Sequence, residues 1–563
     1  LGSLGLSSLG RLESHALASL DAVLVALHRV ADRPMERPPA FELPVDFHSG
    51  PHVLVEHTDA LLGPPQRQRG VRVMVTMPSE AADSAVLACR LVEAGMDVAR
   101  INSAHDDPAT WQRIIRHVRE AEKAVGRSCK VMIDLAGPKL RTCALASDTR
   151  VLKVRPSRDP LGAVVAPSRI WLTPADAPMP APDGVDAVLP IEGPALAASQ
   201  PGDALEVQDR RWCRRKVRVV EVRGTSRLAE AVRTLYVDEG AAVRLRRKGQ
   251  YLGYGRIVGL PGNAPPLLLR ANDLLLVTRD DQPGRAARFR EDGTVEPARI
   301  GCSLGEAFPD VRTGHRIFFD DGKIAAVVLS NDGDQIQVRI THAAARGSKL
   351  RPDKGINLPD SDLRLPALTA EDRACLPFVV EHADIVGLSF VRKPQDVIEI
   401  DDELARLGGE HLGVVIKVET RQAFENLPRI LLASLRSPPV GVMVARGDLA
   451  IEVGFERMAE VQEEILWLCE AAHVPVIWAT QVLESLAKTG SPSRAEVTDA
   501  AMGVRAECVM LNKGPYIVDT VRFLCGVLER MQAHQHKKRA MLRKLSVSAM
   551  TGGPPVPVSP AQA

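Results

Sequence analysis

The chain has 563 residues, 45% of them hydrophobic and 25% charged, which is the balance of a folded protein and excludes a disordered chain, a collagen or a coiled-coil rod. Lys and Arg number 72 against 70 Asp and Glu, so the net charge of +2 indicates no overall attraction to nucleic acid or to a membrane surface. Aromatic residues are only 4% of the chain, which argues against base-stacking surfaces. No apolar run approaches the roughly 20 residues that cross a bilayer. Nine scattered cysteines without a CxxC pair favour free thiols in a reducing cytoplasm.

The pattern of apolar and polar residues in 1–67 differs from the pattern that begins at Val71. An amphipathic pattern predicts one helix from about Arg11 to Val30, followed by a loop rich in Pro and His. We interpret this segment as a helical extension that packs or oligomerises and carries no chemistry.

From Val71 onward, short apolar runs alternate with segments of helical period such as Ser79–Glu93 and Pro108–Val125. Runs that are apolar nearly throughout are typical of parallel strands covered on both faces. The eight runs are Arg72–Thr76, Asp97–Asn102, Lys130–Leu135, Ile385–Val391, Gly413–Glu419, Gly441–Ala445, Pro475–Thr480 and Cys508–Asn512. Eight such units predict an α/β fold, a closed (β/α)8 TIM barrel.

Residues 143–351 interrupt this alternation of apolar runs and helical segments between the third and fourth runs. Turn signals and short alternating strands, such as Arg218–Val222 and Gln335–Ile340, predict a β-rich domain inserted after the third strand. The predicted organisation is therefore an extension (1–67), barrel (68–142), inserted lid (143–351), barrel (352–540) and disordered tail (541–563). A basic stretch, His534–Lys544, precedes the end of the chain.

Two segments of the insertion resemble each other. Gly202–Asp209 and Gly314–Asp321 each begin with Gly, continue with alternating apolar residues and end with Asp. A partial internal duplication and a coincidence between two ordinary strand-turn segments are equally good explanations.

Polar residues close several of the runs, and in a TIM barrel the reactive groups lie at the C-terminal ends of the strands. They are Arg100, Asn102 and His105; Asp134, Lys139 and Arg141; Lys417 and Glu419; Arg446 and Asp448; and Thr480 and Gln481. The carboxylates Glu419 and Asp448 suit one Mg²⁺ or Mn²⁺ ion, and Lys417 points to the same side as Glu419 because side chains in a strand alternate. Such a site suits an anionic, phosphorylated substrate. For Lys417 and Glu419 alone, a structural ion pair is an equal alternative.

Several longer stretches carry a resemblance to a known family. They are Glu93–Asn102, Gly137–Thr142, Gly355–Pro359, Ser389–Lys393, Val415–Glu419, Val442–Leu449, Ala479–Gln481 and Ser493–Glu496. In order and spacing, over about residues 70–142 and 312–515, the chain resembles pyruvate kinase. The resemblance implies a barrel with a mobile lid domain, and it implies phosphoryl transfer from phosphoenolpyruvate to ADP in glycolysis.

The resemblance also implies roles for individual residues. Lys417, Thr480 and Arg100 would be catalytic: Lys417 would neutralise the phosphoryl group, Thr480 would help to protonate the enolate and Arg100 would hold the phosphate. Glu419 and Asp448 would bind the metal, and Gly447 and Asp448 would join Arg100, Lys417 and Thr480 in binding substrate. The residues implied for the nucleotide are Asn102, His105, Arg141 and Lys349 or Lys354.

Some differences from the family pattern lie at the positions that bind K⁺. Many members hold K⁺ with oxygen ligands, but the corresponding positions here read Asn102, Ala104, Asp134 and Leu135, so two ligands are missing. Lys139 stands where K⁺-dependent members carry Glu, and its ammonium would substitute for the monovalent cation. We therefore expect activity with Mg²⁺ or Mn²⁺ and without K⁺.

Other departures leave alternatives open. The first strand ends Val75–Ser79 without the usual Gly, the last ends Met510–Pro515 in an unusual sequence, and the chain ends soon after the eighth unit, so we expect no C-terminal regulatory domain. We expect a cytoplasmic homo-oligomer that acts on phosphoenolpyruvate and ADP/ATP, without nucleic-acid or membrane partners. The alternatives are a non-catalytic relative that binds phosphoenolpyruvate or nucleotide, and a metal-enolate lyase or aldolase on the same barrel.

Overall fold

The computed structural model of the protein describes residues 12–34, 43, 45–65, 69–147, 150–262, 264–280, 282–289, 293–437 and 439–532. The first residue of the predicted N-terminal helix, the basic stretch 534–544 and the predicted disordered tail 541–563 lie outside these residues. Within the described residues, no helix combines the length and the apolar character needed to cross a membrane.

The described residues of the N-terminal extension contain two α-helices, one more than predicted. They precede the first three barrel units, and the elements in chain order are α1 (Ala16–Val30), α2 (Ser49–Leu62), β1 (Arg72–Thr76), α3 (Ala85–Ala94), β2 (Val98–Asn102), α4 (Pro108–Val125) and β3 (Lys130–Asp134).

The insertion between β3 and the fourth barrel strand is almost entirely β-structure. Its first part contains β4 (Val151–Val154), β5 (Ser157–Arg158), β6 (Val164–Ala166), β7 (Ser168–Pro174), β8 (Ala187–Glu192), α5 (Pro194–Ala197), β9 (Ala204–Gln208), β10 (Arg214–Arg223), β11 (Ser226–Ala231), β12 (Leu235–Asp238), β13 (Ala242–Arg247) and β14 (Gln250–Ile257). Its second part contains β15 (Leu267–Leu269), β16 (Leu274–Thr278), β17 (Arg288–Phe289), β18 (Val295–Glu296), β19 (Ala298–Gly301), β20 (Arg316–Phe319), β21 (Ile324–Asn331), β22 (Gln335–His342), β23 (Ser348–Leu350) and β24 (Ile356–Asn357).

The remaining barrel units follow in α/β alternation. They are α6 (Ala370–His382), β25 (Ile385–Leu388), α7 (Pro394–Arg406), β26 (Gly413–Val418), α8 (Arg421–Glu425), α9 (Leu427–Ser434), β27 (Val440–Ala445), α10 (Arg446–Val453), α11 (Phe455–Ala471), β28 (Val476–Ala479), α12 (Glu484–Thr489), α13 (Arg494–Met502), β29 (Cys508–Leu511) and α14 (Ile517–Gln532).

The eight predicted runs form one closed parallel barrel in the order β1-β2-β3-β25-β26-β27-β28-β29. Register is continuous around it, and the pairs Thr76 with Arg100 and Asn102 with Asp134 lie at the C-terminal ends of their strands. The predicted TIM barrel with a β-rich insertion after the third strand is therefore confirmed. The insertion follows β3, so both of its chain connections lie at the end of the barrel where functional groups collect.

The described residues 31–34, 43 and 45–48 lie outside helices, as predicted for the segment after the first helix, but the sequence analysis missed the second helix, α2, at residues 49–62. Asp46 starts the helix by accepting hydrogen bonds from the backbone amides of His48 (2.8 Å) and Ser49 (2.7 Å). Pro51 lies in the first helical turn, where no amide donor is required. The Pro and His content therefore did not preclude a helix here.

Helix α2 closes the N-terminal end of the barrel. Leu61 and Leu62 are 1% exposed and belong to the same apolar cluster as the inward-facing Met74, Met132 and Met443. A Cβ atom on Gly413 or Gly441 would overlap the Leu61 side chain. The glycines of two strands thus provide the space that Leu61 fills.

Replacing Leu61 with alanine is expected to lower the free energy of unfolding by about 2–5 kcal/mol, because the variant loses buried apolar contacts and leaves a cavity. Urea unfolding followed by circular dichroism measures the change. Leu432→Ala is a matched control, since Leu432 is 59% exposed and should change stability little. Equal effects in the two variants would contradict the conclusion that Leu61 fills the N-terminal end of the barrel.

The insertion contains two β units with separate hydrophobic cores. In the first, the strand order β8-β7-β11-β10-β9-β13 is completed by β14 into a closed seven-stranded barrel. In the second, the order β19-β16-β22-β21-β20-β24 forms an open six-stranded sheet. Parallel and antiparallel pairings match at each step, and each unit has a two-stranded appendage, β4-β12 or β15-β23.

The two units also share local irregularities. The Gly202 amide donates to Val219 O (2.8 Å) in the first unit, and the Gly314 amide donates to Val328 O (2.9 Å) in the second. Register shifts just beyond these positions, between Val219 and Glu221 and between Val328 and Ser330. A shared bulge within a shared topology favours duplication over coincidence for the resemblance between Gly202–Asp209 and Gly314–Asp321.

Candidate active site

Six of the predicted site residues lie together at the C-terminal end of the barrel, and a seventh, Lys139, pairs with one of them, Asp448. Arg100 lies on β2, Lys417 on β26 and Glu419 just beyond it, Gly447 and Asp448 in the first turn of α10, and Thr480 directly after β28. Parallel strands in a closed barrel end at one face, so side chains far apart in the chain meet there.

Lys417 is the centre of this cluster. Its Nζ atom lies 2.9 Å from Glu419 Oε1 and 3.1 Å from Asp134 Oδ2, and it donates to Ser389 Oγ at 2.7 Å. Burial by itself would lower the pKa of Lys417, but Asp134 and Glu419 outweigh it and raise the pKa above its usual value. The ammonium therefore stays charged in a nearly dry site, where its field is strongest.

Asp134 joins Lys417 to Arg100. Its carboxylate accepts hydrogen bonds from Arg100 Nε (3.0 Å) and Nη2, while Arg100 Nη1 donates to Thr76 Oγ1 (2.9 Å). Burial opposes ionisation of Asp134, yet Arg100 and Lys417 hold its pKa below the usual value. Asp134 Oδ1 is buried without a partner among the described atoms, and a Cβ on Gly387 would overlap it.

Glu419 and Asp448 are the two carboxylates at the mouth. Glu419 Oε2 accepts the Phe390 amide at 2.9 Å, and Asp448 accepts Lys139 Nζ through both oxygens, at 2.9 and 3.1 Å. Burial raises the pKa of Glu419, and the Asp448 carboxylate raises it further against the opposing effect of Lys417. The two carboxylates therefore repel each other, and a shared cation would relieve the repulsion.

These two carboxylates fit a hard divalent cation. The described residues contain no group of three or more His, Cys, Asp or Glu side chains suited to a metal. An ion here would thus use Glu419, Asp448 and oxygens of substrate or water, which is a common way for Mg²⁺ to bind.

Thr480 is joined to the first turn of α10. The Gly447 amide donates to Thr480 Oγ1 at 2.8 Å, which leaves the hydroxyl proton available for another acceptor. Thr480 has φ +64°, a left-handed conformation that is costly for a β-branched residue. Arg446 stabilises it by donating to Thr480 O (2.6 Å) and Ala479 O (2.9 Å) and by pairing with Asp499.

The residues predicted to face the nucleotide are dispersed. Asn102 Oδ1 accepts the Ala104 amide (3.2 Å) and His105 is exposed at the end of β2. Arg141 Nη1 lies 3.3 Å from Asp353 Oδ1. In the second unit of the insertion, Lys349 is exposed on β23 and Lys354 pairs with Asp320 at 3.2 Å. No ion pair or hydrogen bond within the described ranges joins Asn102 or His105 to these lid residues.

Sequence analysis missed part of the support for this site. Thr76, Ser389 and Phe390 were given no role, and Asp134 was noted only as a strand end and as a counterpart of a K⁺ ligand. The position of Asp134 directly after a buried strand was a usable signal. The backbone amide of Phe390, at φ +56°, has no side-chain signature in the sequence.

Glu452 links α10 to the end of the insertion. Asn357 Nδ2 donates to Glu452 Oε1 at 3.1 Å, and burial raises the pKa of Glu452 to about 7. Because this pKa exceeds the unfolded value, the folded protein binds more protons than the unfolded chain between about pH 4.5 and 7. The stability that this proton contributes is therefore lost as the pH rises through that range.

Accordingly, the stability of the protein relative to a Glu452→Gln variant should fall by about 2 kcal/mol between pH 5 and pH 8. Denaturant unfolding of both proteins at several pH values gives this difference directly, since all other titrating groups cancel. A difference that does not vary with pH would show that Glu452 titrates normally.

Comparison with known proteins places the chain in a family. The family model "Pyruvate kinase, barrel domain" matches residues 68–159 and 267–521, so most of the first β unit of the insertion lies between the matched stretches. Pyruvate kinase from Clostridium acetobutylicum is 32% identical over 249 residues, which are 43% of this chain and 51% of the relative. The enzyme from Hypocrea jecorina is 39% identical over 256 residues (43% and 46%), and that from Geobacillus stearothermophilus is 25% identical over 480 residues (84% and 58%). The chain spans about half the length of most of these curated relatives, and the match of its barrel shows that it belongs to the pyruvate kinase family.

Proposed function

We propose that this chain transfers the phosphoryl group of phosphoenolpyruvate to ADP, yielding pyruvate and ATP. The observation that carries the proposal is the buried Lys417 ammonium, held between Asp134 and Glu419 at the mouth of the barrel. A preorganised cation in a site of low dielectric stabilises the charge of a phosphoryl group during transfer, and this electrostatic effect dominates such reactions.

Neighbouring side chains take complementary roles in this proposal. Arg100, oriented by Thr76 and Asp134, binds the phosphate of the substrate. The first turn of α10, with Gly447 and Asp448, binds the substrate beside Thr480. The Thr480 hydroxyl accepts the Gly447 amide and donates its own proton toward the enolate carbon, through water.

Glu419 and Asp448 would hold Mg²⁺ or Mn²⁺. The bound ion would neutralise negative charge on the oxygens of the substrate. Asn102, His105, Arg141 and Lys349 or Lys354 are proposed to face ADP, with the lid residues approaching by movement of the insertion.

All nine cysteines lie in the described part of the chain and are free thiols, which supports a reducing compartment, and we propose a cytoplasmic homo-oligomer.

A coupled assay with phosphoenolpyruvate, ADP and Mg²⁺ tests the proposal. Pyruvate and ATP should form in equal amounts. Binding of phosphoenolpyruvate without turnover would instead support a non-catalytic relative. Carbon–carbon cleavage independent of ADP would support a lyase or aldolase.

Activity should be the same with and without K⁺. Lys139 Nζ binds both oxygens of Asp448 and lies 5.5 Å from the centre of the Phe390 ring, so a fixed monovalent cation is already present beside this carboxylate. Ala104 and Leu135 offer no side-chain oxygen for K⁺. The measurement is the initial rate in Tris or Na⁺ buffer, with K⁺ added or omitted.

A Lys139→Glu variant sharpens this test. Replacing the ammonium by a carboxylate should make the rate depend on an added monovalent cation, whereas Lys139→Met controls for loss of the side chain alone. A strict K⁺ requirement in the unaltered protein would refute the proposed role of Lys139.

A further inference from the structure

The first β unit of the insertion differs in charge from the rest of the chain. Residues 150–262, called the inserted barrel below, contain 19 Lys and Arg against 12 Asp and Glu, a net charge of +7. The remaining residues together carry a net charge of −5. The whole-chain value of +2, from which no attraction to nucleic acid was expected, averages these unlike parts.

One outer face of the inserted barrel carries four of these cations and one carboxylate. Four adjacent strands, β10, β9, β13 and β14, align Lys216, Glu206, Arg244 and Tyr254 in one row. The next row contains Arg218, Ala204, Arg246 and Tyr251. Residues at the alternate positions, including Val217, Val243 and Leu245, are buried in the core, so these two rows face outward. We call these two rows the basic face.

Few carboxylates neutralise this face. Glu206 is the acidic residue of the two rows, and it pairs with Arg246 Nη1 (3.0 Å) and accepts the Tyr251 hydroxyl (3.0 Å). Among the described residues, Lys216, Arg218 and Arg244 form no ion pair within 4.0 Å. Three cations, two on β10 and one on β13, the strands that flank β9, are therefore available to a ligand.

A depression of about 530 Å³ opens on the same face. Ala204 is one of its lining residues, and the cations that line it are Lys216, Arg246, Arg247 and Lys248. Of these, Arg247 pairs with Asp203 at 2.7 Å. The basic side chains around Ala204 give this depression the charge to bind a phosphate group.

The second β unit shows that the fold does not require these cations. By matching strand pairings, Lys216 corresponds to Ala325, Arg218 to Val327 and Arg244 to Asn357. Asn357 bonds to Glu452 of α10, so in the second unit this face is turned toward the catalytic barrel. In the inserted barrel the equivalent face is open and basic.

We propose that the basic face binds single-stranded nucleic acid. Alternate residues on β10 place cations about 6.8 Å apart, in a line that can follow a phosphate backbone. Tyr254 is 62% exposed and Tyr251 is 42% exposed, and rings beside a basic groove stack on unpaired bases. Cations that continue past the pocket, together with two exposed rings, favour an extended strand over a compact organic phosphate.

Fluorescence anisotropy of the full chain with labelled mixed-sequence oligonucleotides tests the proposal. Single-stranded RNA and DNA of about 20 nucleotides should bind more tightly than a duplex, with affinity falling as salt rises. Lys216→Gln/Arg244→Gln should weaken binding at least about tenfold and reduce the salt slope by about 1.4, the value for two lost phosphate contacts. Tyr254→Ala should weaken binding by about tenfold, and Tyr254→Phe should restore it.

Arg155→Gln/Arg233→Gln is the matched control. It removes the same charge from exposed positions in two connecting segments of residues 150–262, outside the two rows of the basic face. It should leave binding within about twofold of the unaltered protein, since it alters only general attraction. Equal losses in both double variants, or equal affinity for duplex, would overturn the proposal. Displacement of the oligonucleotide by inorganic pyrophosphate at equimolar concentration would also overturn it, in favour of a small-anion pocket. The test is independent of the kinase proposal because none of these residues lies at the barrel mouth.

Discussion

Replacement of Lys417 by alanine is expected to lower turnover at least about 10³-fold, because the variant loses the preformed charge that faces the transferring phosphoryl group. Steady-state rates in the coupled assay measure the loss. The buried ammonium is held by three partners, so water cannot replace it in the same geometry. Phosphoenolpyruvate binding should weaken less than turnover, because the loss is greatest in the transition state.

The control is Lys488→Ala, which removes a lysine that pairs with Glu484 on the surface of α12 and should leave the rate unchanged. Lys417→Arg retains the charge but moves it, and it should recover only part of the activity. Near-normal turnover of Lys417→Ala, with the melting temperature retained, would remove Lys417 from the mechanism.

Replacement of Asp134 by alanine is expected to reduce both stability and activity. Asp134 is fully buried and forms ion pairs with two cations, Arg100 and Lys417. Removing one member of such a network leaves buried charge uncompensated, at a cost of about 3–5 kcal/mol in the free energy of unfolding. Turnover should fall as well, because both cations lose the group that orients them.

Denaturant unfolding and the coupled assay measure the two effects separately. Glu221→Ala is the control for stability, since Glu221 and Arg223 form an exposed ion pair whose loss should change the free energy of unfolding little. Asp134→Asn retains the shape without the charge. If Asp134→Asn were as stable and active as the unaltered protein, the charge of Asp134 would have no role in orienting Arg100 and Lys417.

The barrel was predictable from the sequence because its signal is local. A parallel strand buried on both faces is an apolar run, and all eight runs recur as strands with ends that differ by at most three residues. Helix α4 (Pro108–Val125) matches its prediction because Asp107 caps it and Gly126 ends it in a left-handed conformation. Helix α2 was missed because its apolar residues are needed at the base of the barrel, a contact that no local pattern reveals.

The insertion, too, was predicted from the sequence only in part. Alternation of apolar and polar residues predicted short strands, and the similarity of Gly202–Asp209 to Gly314–Asp321 left duplication and coincidence open. Strand order and a shared bulge favour duplication. The charge asymmetry was present in the sequence throughout, but it became a surface only when β10, β9, β13 and β14 aligned side by side.

What the sequence by itself determined is which polar residues end which strands: Arg100, Lys417, Glu419, Asp448 and Thr480 follow from apolar runs and the alternation of side chains. Only the tertiary structure decided their partners. Lys139 and Asp448 are 309 residues apart in the chain and 2.9 Å apart in space, and Lys417 meets Asp134 and Ser389 from other strands. Periodicity describes one element at a time, whereas the charge, burial and pKa of each site residue depend on groups that closure of the barrel brings together.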